Sequence, residues 1–465
     1  MKRPEPYDED QDPNPFWREG DYAYEDPGDT MLPSRKGFIT DLVYYMRGSE
    51  VPTAFQVWSA LWVLSNAVKR EAWIQWGEDE FFSNLYIILI GTAGVVKKTT
   101  MVSKGESILR KMVDFIPNKS FREIKQITII KNKATPEGML EAMKSNGKIT
   151  IKEDDGTVIK GDDGKPLRLP KSSELALVIP EMSVLFNKQS YNESLVQNLL
   201  DLYDNHETWE WRTKSEGQRT LRNLHTCLLA GTTEAGFEDA LPPAALGDGF
   251  ISRTVLVHAR TTERCFELPM VPEGAPNKDE LARRLAYIAM CFQGEVKLAD
   301  DAKVWYRNWY RKHHARMSSH PETASVVSRK PTTMLKVAML LAAQRYDQKP
   351  MEPVIDLQDM EDALRILNLA YNAAPKILRE LRGADTMKVI AKVRNYLSER
   401  PTEMYNRGDI IRATHLTGDQ VQFALTHLTE EGSVKIVDVD GLEENRVKRR
   451  GQRYSFSGVG GYDEE

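Results

Sequence analysis

Residues 85–112 read "LYIILIGTAGVVKKTTMVSKGESILRKM". An apolar run enters a loop of small residues and leaves as an amphipathic helix. Such a loop can hold phosphate: backbone N–H groups turn inward, the helix N-terminus adds positive potential, and one lysine reaches the terminal phosphates. The residues placed to do this are Gly91, Gly94, Val95, Val96, Lys97, Lys98, Thr99 and Thr100. They depart from the G-x-x-x-x-G-K-[ST] spacing. In one alignment Lys97 is the phosphate lysine, Val96 replaces the last glycine, and Lys98 stands where a magnesium-binding hydroxyl belongs. In the other the loop is one residue longer, Lys98 is the phosphate lysine and Thr99 binds the metal. Both alignments stay open.

A second apolar run, "LALVIPE", ends in Pro180-Glu181. Phosphate hydrolysis at such a loop needs a carboxylate at a neighbouring strand end to polarise the attacking water, and Glu181 is placed to do so. Pro180 occupies the position where an Asp would hold the metal's water shell.

The elements that must position these groups follow from the pattern. Residues 36–70 read as two amphipathic helices, "KGFITDLVYYMRG" and "TAFQVWSALWVLSNAVKR", and "EAWIQW" as a short strand. The segment 147–173 alternates around "DDG" turns, with Glu153, Asp154, Asp155, Asp162 and Asp163 among flanking lysines, and predicts a β-ribbon. "WEWRTKSEGQRTLRN" (209–223) predicts a hairpin with its tip near Lys214. "LHTCLLAGTTEAG" and "GDGFISRTVLVHA" predict two further strands, and 276–382 is helical in pattern. Three short helices followed by two strands around a basic loop (385–458) predict a winged helix. Its wing, "ENRVKRRGQR", carries Arg446, Lys448, Arg449, Arg450 and Arg453. Residues 1–34 are rich in Pro, Asp, Glu and Gly, with too little apolar surface to offset chain entropy, and read as a disordered acidic tail.

Composition narrows the setting. The chain has 465 residues, room for two to four domains, with 41 % hydrophobic and 28 % charged residues. A net charge of −5 excludes a polycation, so nucleic-acid binding must come from local patches. The three cysteines, Cys227, Cys265 and Cys291, lack metal spacing and point to a reducing compartment, the cytoplasm. No apolar run has the length of a membrane span, so no membrane partner is expected.

The order of these parts resembles the AAA+ P-loop ATPases over roughly residues 80–350. It is most similar to the hairpin-bearing replicative group, the minichromosome maintenance and superfamily 3 helicases. It also resembles phage and prophage P-loop ATPases, which share "GFxSR" and an "LxLYD" helix like "LLDLYDN" here. Minichromosome maintenance helicases carry Ala where Val96 stands. The resemblance implies an α/β AAA+ P-loop NTPase core, a parallel sheet flanked by helices with β-hairpin insertions, followed by a helical lid and a C-terminal winged helix. It implies that Thr233, ending "CLLAGTT", is a polar sensor, and that Arg253, in "GFISRTVLV", is an arginine finger acting on the adjacent subunit's nucleotide. It places Arg329 near a lid-domain sensor position. The 209–223 hairpin would enter a ring channel and grip single-stranded DNA through Arg212, Lys214 and Arg219, with Arg446, Lys448, Arg449 and Arg450 of the wing as further DNA contacts.

The implied domains are a tail (1–34), an N-terminal helical segment (35–75), the ATPase core (76–270), the lid (271–384), the winged helix (385–458) and a flexible tail (459–465). The expected activity is that of an ATP- and Mg2+-dependent DNA helicase or translocase, a homo-oligomeric, hexameric ring in phage or mobile-element replication. The alternative is a nucleotide-binding DNA scaffold, a helicase loader or initiator, with weak or no hydrolysis. Loss of the Asp before Glu181 favours it.

Overall fold

The structure is a computed structural model. It describes residues 28–117, 127–132, 135–144, 149–150, 157, 168–169, 172–186, 192–213, 217–240, 249–262, 264–319, 327–346, 352–371, 389–399, 403–439 and 451–456. Five strands form one wholly parallel sheet: β1 (Tyr86–Gly91), β2 (Ile129–Lys131), β3 (Glu174–Ile179), β4 (His225–Thr232) and β5 (Thr254–Ala259). Their spatial order is 5-1-4-3-2. All but β2 are buried at every residue, which is why they read as unbroken apolar runs rather than alternating ones. The edge strand β2 escapes a sequence reading because three residues are too few to show a period.

The helices that matter for the site are α1 (Phe38–Tyr45), α2 (Thr53–Val68), α3 (Lys98–Met112), α4 (Asn192–Tyr203), α5 (Lys278–Cys291), α6 (Lys330–Ala343) and α7 (Leu357–Ala370). The expectation of an amphipathic α2 is corrected: all of its 16 residues are buried. Large apolar side chains such as Phe55, Trp58, Leu61, Trp62 and Leu64 point to every side of the wheel, and α3, α5 and α6 surround it. Three of its polar side chains donate to backbone carbonyls, Gln56 to Val51 at 2.8 Å, Ser65 to Ser83 at 2.7 Å and Asn66 to Trp62 at 2.8 Å, while Gln56 Oε1, Ser59 Oγ and the indole N–H groups of Trp58 and Trp62 are buried without a hydrogen-bond partner among the described residues. Further ties join residues near the start of the described chain to its distant helices: Phe38 N donates to Gln344 O, Ser34 to Asp362, and Arg35 pairs with Asp356.

The chain divides into two compact units, 1–375 and 376–465. Segment 35–75, the sheet region and the helices of 271–370 all fall in the first. Within it the predicted 209–223 hairpin is present as antiparallel strands Thr208–Thr213 and Gly217–Arg222. Its backbone register pairs Arg212 with Gln218 and Trp211 with Arg219, while Lys214 lies outside the described residues. The ends of the predicted ribbon pair antiparallel, Ile149 with Leu169 and Thr150 with Arg168, and its five acids lie outside the described residues.

The second unit has a helix over 389–398, then Arg407–Thr414, Gly418–Glu430 and an antiparallel pair, Val434–Val439 with Gly451–Phe456. Its core gathers Ile390, Val393, Leu397, Ile410, Val421, Leu425, Leu428 and Tyr454. Arg446, Lys448, Arg449 and Arg450, the residues 1–27 of the acidic tail and 459–465 lie outside the described residues. Among the described residues no helix is long and apolar enough to cross a membrane.

Candidate nucleotide site

The chain leaves β1 toward one edge of the sheet and leaves β4 toward the other, so the crevice past the carboxyl ends of these two adjacent strands is a topological switch point. The loop 92–97 lies there. Gly91 is fixed by close approach, since a Cβ would stand 2.2 Å from Ala259 O and 2.7 Å from Val96 Cγ2. Val96 is fully buried and folds back under the loop, so the position that looked like a missing glycine is an apolar plug. Gly94, at φ 75°, makes the outward turn beside exposed Val95.

The two lysines are placed differently. Lys97 adopts the left-handed region, φ 45° and ψ 38°, and its ammonium points away to Glu50 at 3.5 Å. Left-handed backbone costs a non-glycine residue about 1–3 kcal/mol and collects at functional sites. Lys98 opens α3 and turns into the loop, its Nζ donating to Gly91 O at 2.6 Å and to Thr92 O at 3.3 Å. Burial lowers the Lys98 pKa, and the charge of Glu181 partly offsets this. The first turn of α3 has no side-chain cap, and Thr99 and Thr100 are exposed on it. A phosphate group fits this cradle: its oxygens would take over the carbonyls' place on Lys98, and Thr99 could offer its hydroxyl to a magnesium ion held by the phosphates.

Glu181 follows β3 and begins the short helix Met182–Leu185. Register places it level with Thr232, two strands from β1, a separation of about 10 Å. The intervening strand end is kept small. A Cβ on Gly231 would meet Pro180 O at 2.8 Å and Lys98 Cβ at 3.5 Å. One on Gly236 would meet Thr233 Oγ1 at 2.8 Å and Glu181 Oε1 at 3.7 Å. The gap between Lys98 and Glu181 is therefore floored by glycine. Thr233 lies beside Glu181, and its Oγ1 accepts the Gly236 N–H at 2.9 Å to cap the next helix.

Sequence reasoning missed a group on the same edge. Glu234 is held by Arg260 at 2.7 and 2.9 Å and by His258 at 2.5 Å, which ties the end of β4 to that of β5. The Arg260 hydrogen bond leads in keeping the Glu234 carboxyl below its usual range. Their position one or two residues from strand ends was the available signal.

Arg253 and Arg329 are elsewhere. β5 begins one residue after Arg253 and runs parallel to β1, Thr254 opposite Tyr86 and Ala259 opposite Gly91. Arg253 therefore sits at the amino edge, about 20 Å from the loop of its own chain. Arg329 is beside it: both guanidinium groups bind Asp204, at 2.7 and 3.0 Å. The structure does not bring Arg329 to its own chain's loop. Lys336 is buried in the same region, 4.2 Å over the Tyr203 ring, with Nζ 2.6 Å from Asn84 Oδ1. Burial pushes its pKa down to about 7. No sequence signal linked Asp204 or Lys336 to these arginines.

No family model matches the chain, and no curated protein matches it in sequence.

Proposed function

We propose that this chain is an AAA+ type P-loop ATPase that works on DNA as a ring, with hydrolysis at the boundaries between subunits. The observation that carries the reading is Lys98: its ammonium is turned into the loop at a topological switch point, on Gly91 O and Thr92 O, within the field of the Glu181 charge. The loop N–H groups and Lys98 would bind the β- and γ-phosphates of ATP. Thr99 would contact Mg2+, which when bound supplies charge neutralisation at the phosphates. Glu181 would orient water, and Thr233, whose Oγ1 accepts the Gly236 N–H, would stand as the polar sensor between Glu181 and the γ-phosphate. Arg253 lies far from its own loop, which supports its use on a neighbour's nucleotide and hence a homo-oligomer, in this reading a hexamer. The hairpin before β4 supports a channel contact with single-stranded DNA through Arg212, Lys214 and Arg219. The helices of 271–370 would act as the lid, and the second unit, helices followed by a two-stranded sheet, supports the winged-helix reading. The setting, from the resemblance alone, is phage or mobile-element replication in a host cytoplasm.

The test is an ATPase assay with and without single-stranded DNA. Turnover is expected to rise with DNA and to collapse in Glu181→Gln with nucleotide binding retained. Undiminished turnover in Glu181→Gln would remove the catalytic assignment. A second reading is favoured by Pro180, which leaves no carboxylate in the Asp position: a scaffold or loader that holds nucleotide and DNA but hardly hydrolyses. Tight ATP binding with no DNA-stimulated turnover in the wild-type chain would select it.

A further inference from the structure

The helix Asp300–Ser319 has two unlike faces. Ala302, Trp305, Tyr306, Trp309 and His313 are buried, and α7 packs against the helix. Lys303, Arg307 and Arg311 are exposed and stand four residues apart. Each step turns by about 40° and rises by about 6 Å, so the three form one stripe along the middle of the outer face. Lys312 and Arg316 repeat the spacing on its flank. Past Asp301 the helix carries these five cations and no acid.

A ladder of rings runs beside the stripe. Tyr306 and Tyr310 stack with centroids 5.8 Å apart, and Tyr310 meets the His314 ring at 6.2 Å. Trp76 holds Tyr306 edge-on at 5.3 Å. Tyr310 is 41 % exposed, so one ring of the ladder faces solvent, three residues from Arg307 and next to Arg311.

This arrangement works against the helix itself. Like charges at i and i+4 repel, and Lys303–Arg307, Arg307–Arg311 and Lys312–Arg316 are three such pairs. Lys303 is offset by Asp300 at 3.0 Å, while among the described residues Arg307 and Arg311 are in no ion pair. On α7, Asp359 binds Arg345 at 2.5 Å and Asp362 binds Arg365 at 2.6 Å, and Glu361 adds one further acid. Glu78, Asp79 and Glu80, at the turn of the hairpin that carries Trp76, line a cleft with Arg70 and Arg329. Set against Asp300, Asp301 and Glu361, the five cations leave a positive excess, in a chain whose net charge is −5.

We propose that this outer face binds a single-stranded polynucleotide, with phosphates along Lys303, Arg307 and Arg311 and one base stacked on Tyr310. Guanidinium groups match phosphate oxygens, and an aromatic ring beside a cation stripe accepts any base. An acidic protein segment would use the cations but leave the ring without a role. The site is separate from the 208–222 hairpin and the wing, and it is built within one chain, so it requires neither ATP binding nor ring assembly.

The experiment titrates the full chain, without nucleotide, with fluorescent oligo-dT and oligo-U over a range of salt. Binding of either polymer supports the site, and the tighter of the two names the source. In Arg307→Ala/Arg311→Ala, affinity is expected to fall about 5- to 30-fold, as for two surface charge contacts. The slope of log affinity against log salt is expected to shrink by about 1.4, two phosphates at about 0.7 each. The melting point should not fall, since repulsion is removed and Ala is a good helix former. Tyr310→Ala should lose about 5- to 150-fold with the slope unchanged, and Tyr310→Phe should bind as the wild type does. Unchanged affinity and slope in the double variant overturn the site. If polyglutamate displaces oligo-dT at equal charge and Tyr310→Ala binds normally, the face takes an acidic segment and the polynucleotide assignment is overturned. Arg212→Ala/Arg219→Ala keeps this site apart from the hairpin. If that chain loses affinity while the helix variants do not, the helix site falls and the hairpin reading stands. The reverse result removes the hairpin reading and supports the helix site.

Discussion

Replacing Lys98 by Ala should weaken ATP binding far more than replacing Lys97. In the free protein Lys98 Nζ rests 2.6 Å from Gly91 O and 3.3 Å from Thr92 O, within reach of one or two phosphate oxygens. A hydrogen bond to a charged group contributes about 1.5–3 kcal/mol. Allowing for the carbonyl contacts that are given up, the loss in Lys98→Ala is about 2–4 kcal/mol, or roughly 30- to 700-fold in Kd. Lys97 is 45 % exposed and its partner Glu50 stands at 3.5 Å, a surface pair worth about 0–1 kcal/mol, so Lys97→Ala should change Kd by less than about fivefold. Ala also leaves the left-handed backbone at residue 97 as it is, so strain does not enter the comparison. The assay is a titration of each full-length variant with a fluorescent ATP analogue, with and without Mg2+. Thr99→Ala should erase most of the magnesium dependence while Lys97→Ala preserves it. A larger loss in Lys97→Ala than in Lys98→Ala would refute the placement and restore the shorter loop alignment.

Two further outcomes concern stability. Lys336 titrates at about 7 when folded and about 10.4 when unfolded, so between those values the unfolded chain binds the extra proton and stability rises with pH. The cost of burying the charge is fully present below pH 7 and is relieved toward pH 10. Urea unfolding at pH 7 and pH 9 should show the wild type gaining about 2 kcal/mol more than Lys336→Met across that interval, and parallel behaviour of the two proteins would contradict the assignment. Gly231→Ala forces a methyl to within 2.8 Å of Pro180 O and should lower stability by about 1–3 kcal/mol, read as a drop of several degrees in the melting point. An unchanged melting point would mean that β3 and β4 can part at no cost.

Much of the sheet was legible because its strands are buried on both faces. "YIILIG", "ELALVI" and "TVLVHA" are apolar runs bounded by glycine, proline or charge, which leaves few alternatives. The hairpin announced itself through alternating Trp209 and Trp211 before a Lys-Ser-Glu-Gly tip. The choice between Lys97 and Lys98 was not legible, since it turns on one left-handed dihedral and on which of two adjacent side chains faces inward. A helical pattern told that α2 exists but not that it is enclosed on every side, because burial depends on helices more than 200 residues away in the chain. The meeting of Arg253 and Arg329 at Asp204 was hidden for the same reason: Asp204 and Arg329 are 125 residues apart, and a lone Asp at a helix end carries no local sign of its partners.

The enclosure of α2 also bears on how the protein is made. Its wholly buried surface is covered partly by α5 and α6, and the neighbouring residues 34–38 bond to Gln344, Asp356 and Asp362. On a ribosome adding about 5–20 residues per second, roughly 15–60 s pass between the emergence of these early residues and their late partners. Throughout that interval the nascent chain lacks the part of this cover that α5 and α6 supply to a helix bearing Phe55, Trp58 and Trp62. Residues 76–270 are consequently a poor unit to express alone, because the surface that α2 shields on α3 and the sheet would be laid bare. The natural fragment of this protein that keeps its interior closed is the whole of its first unit.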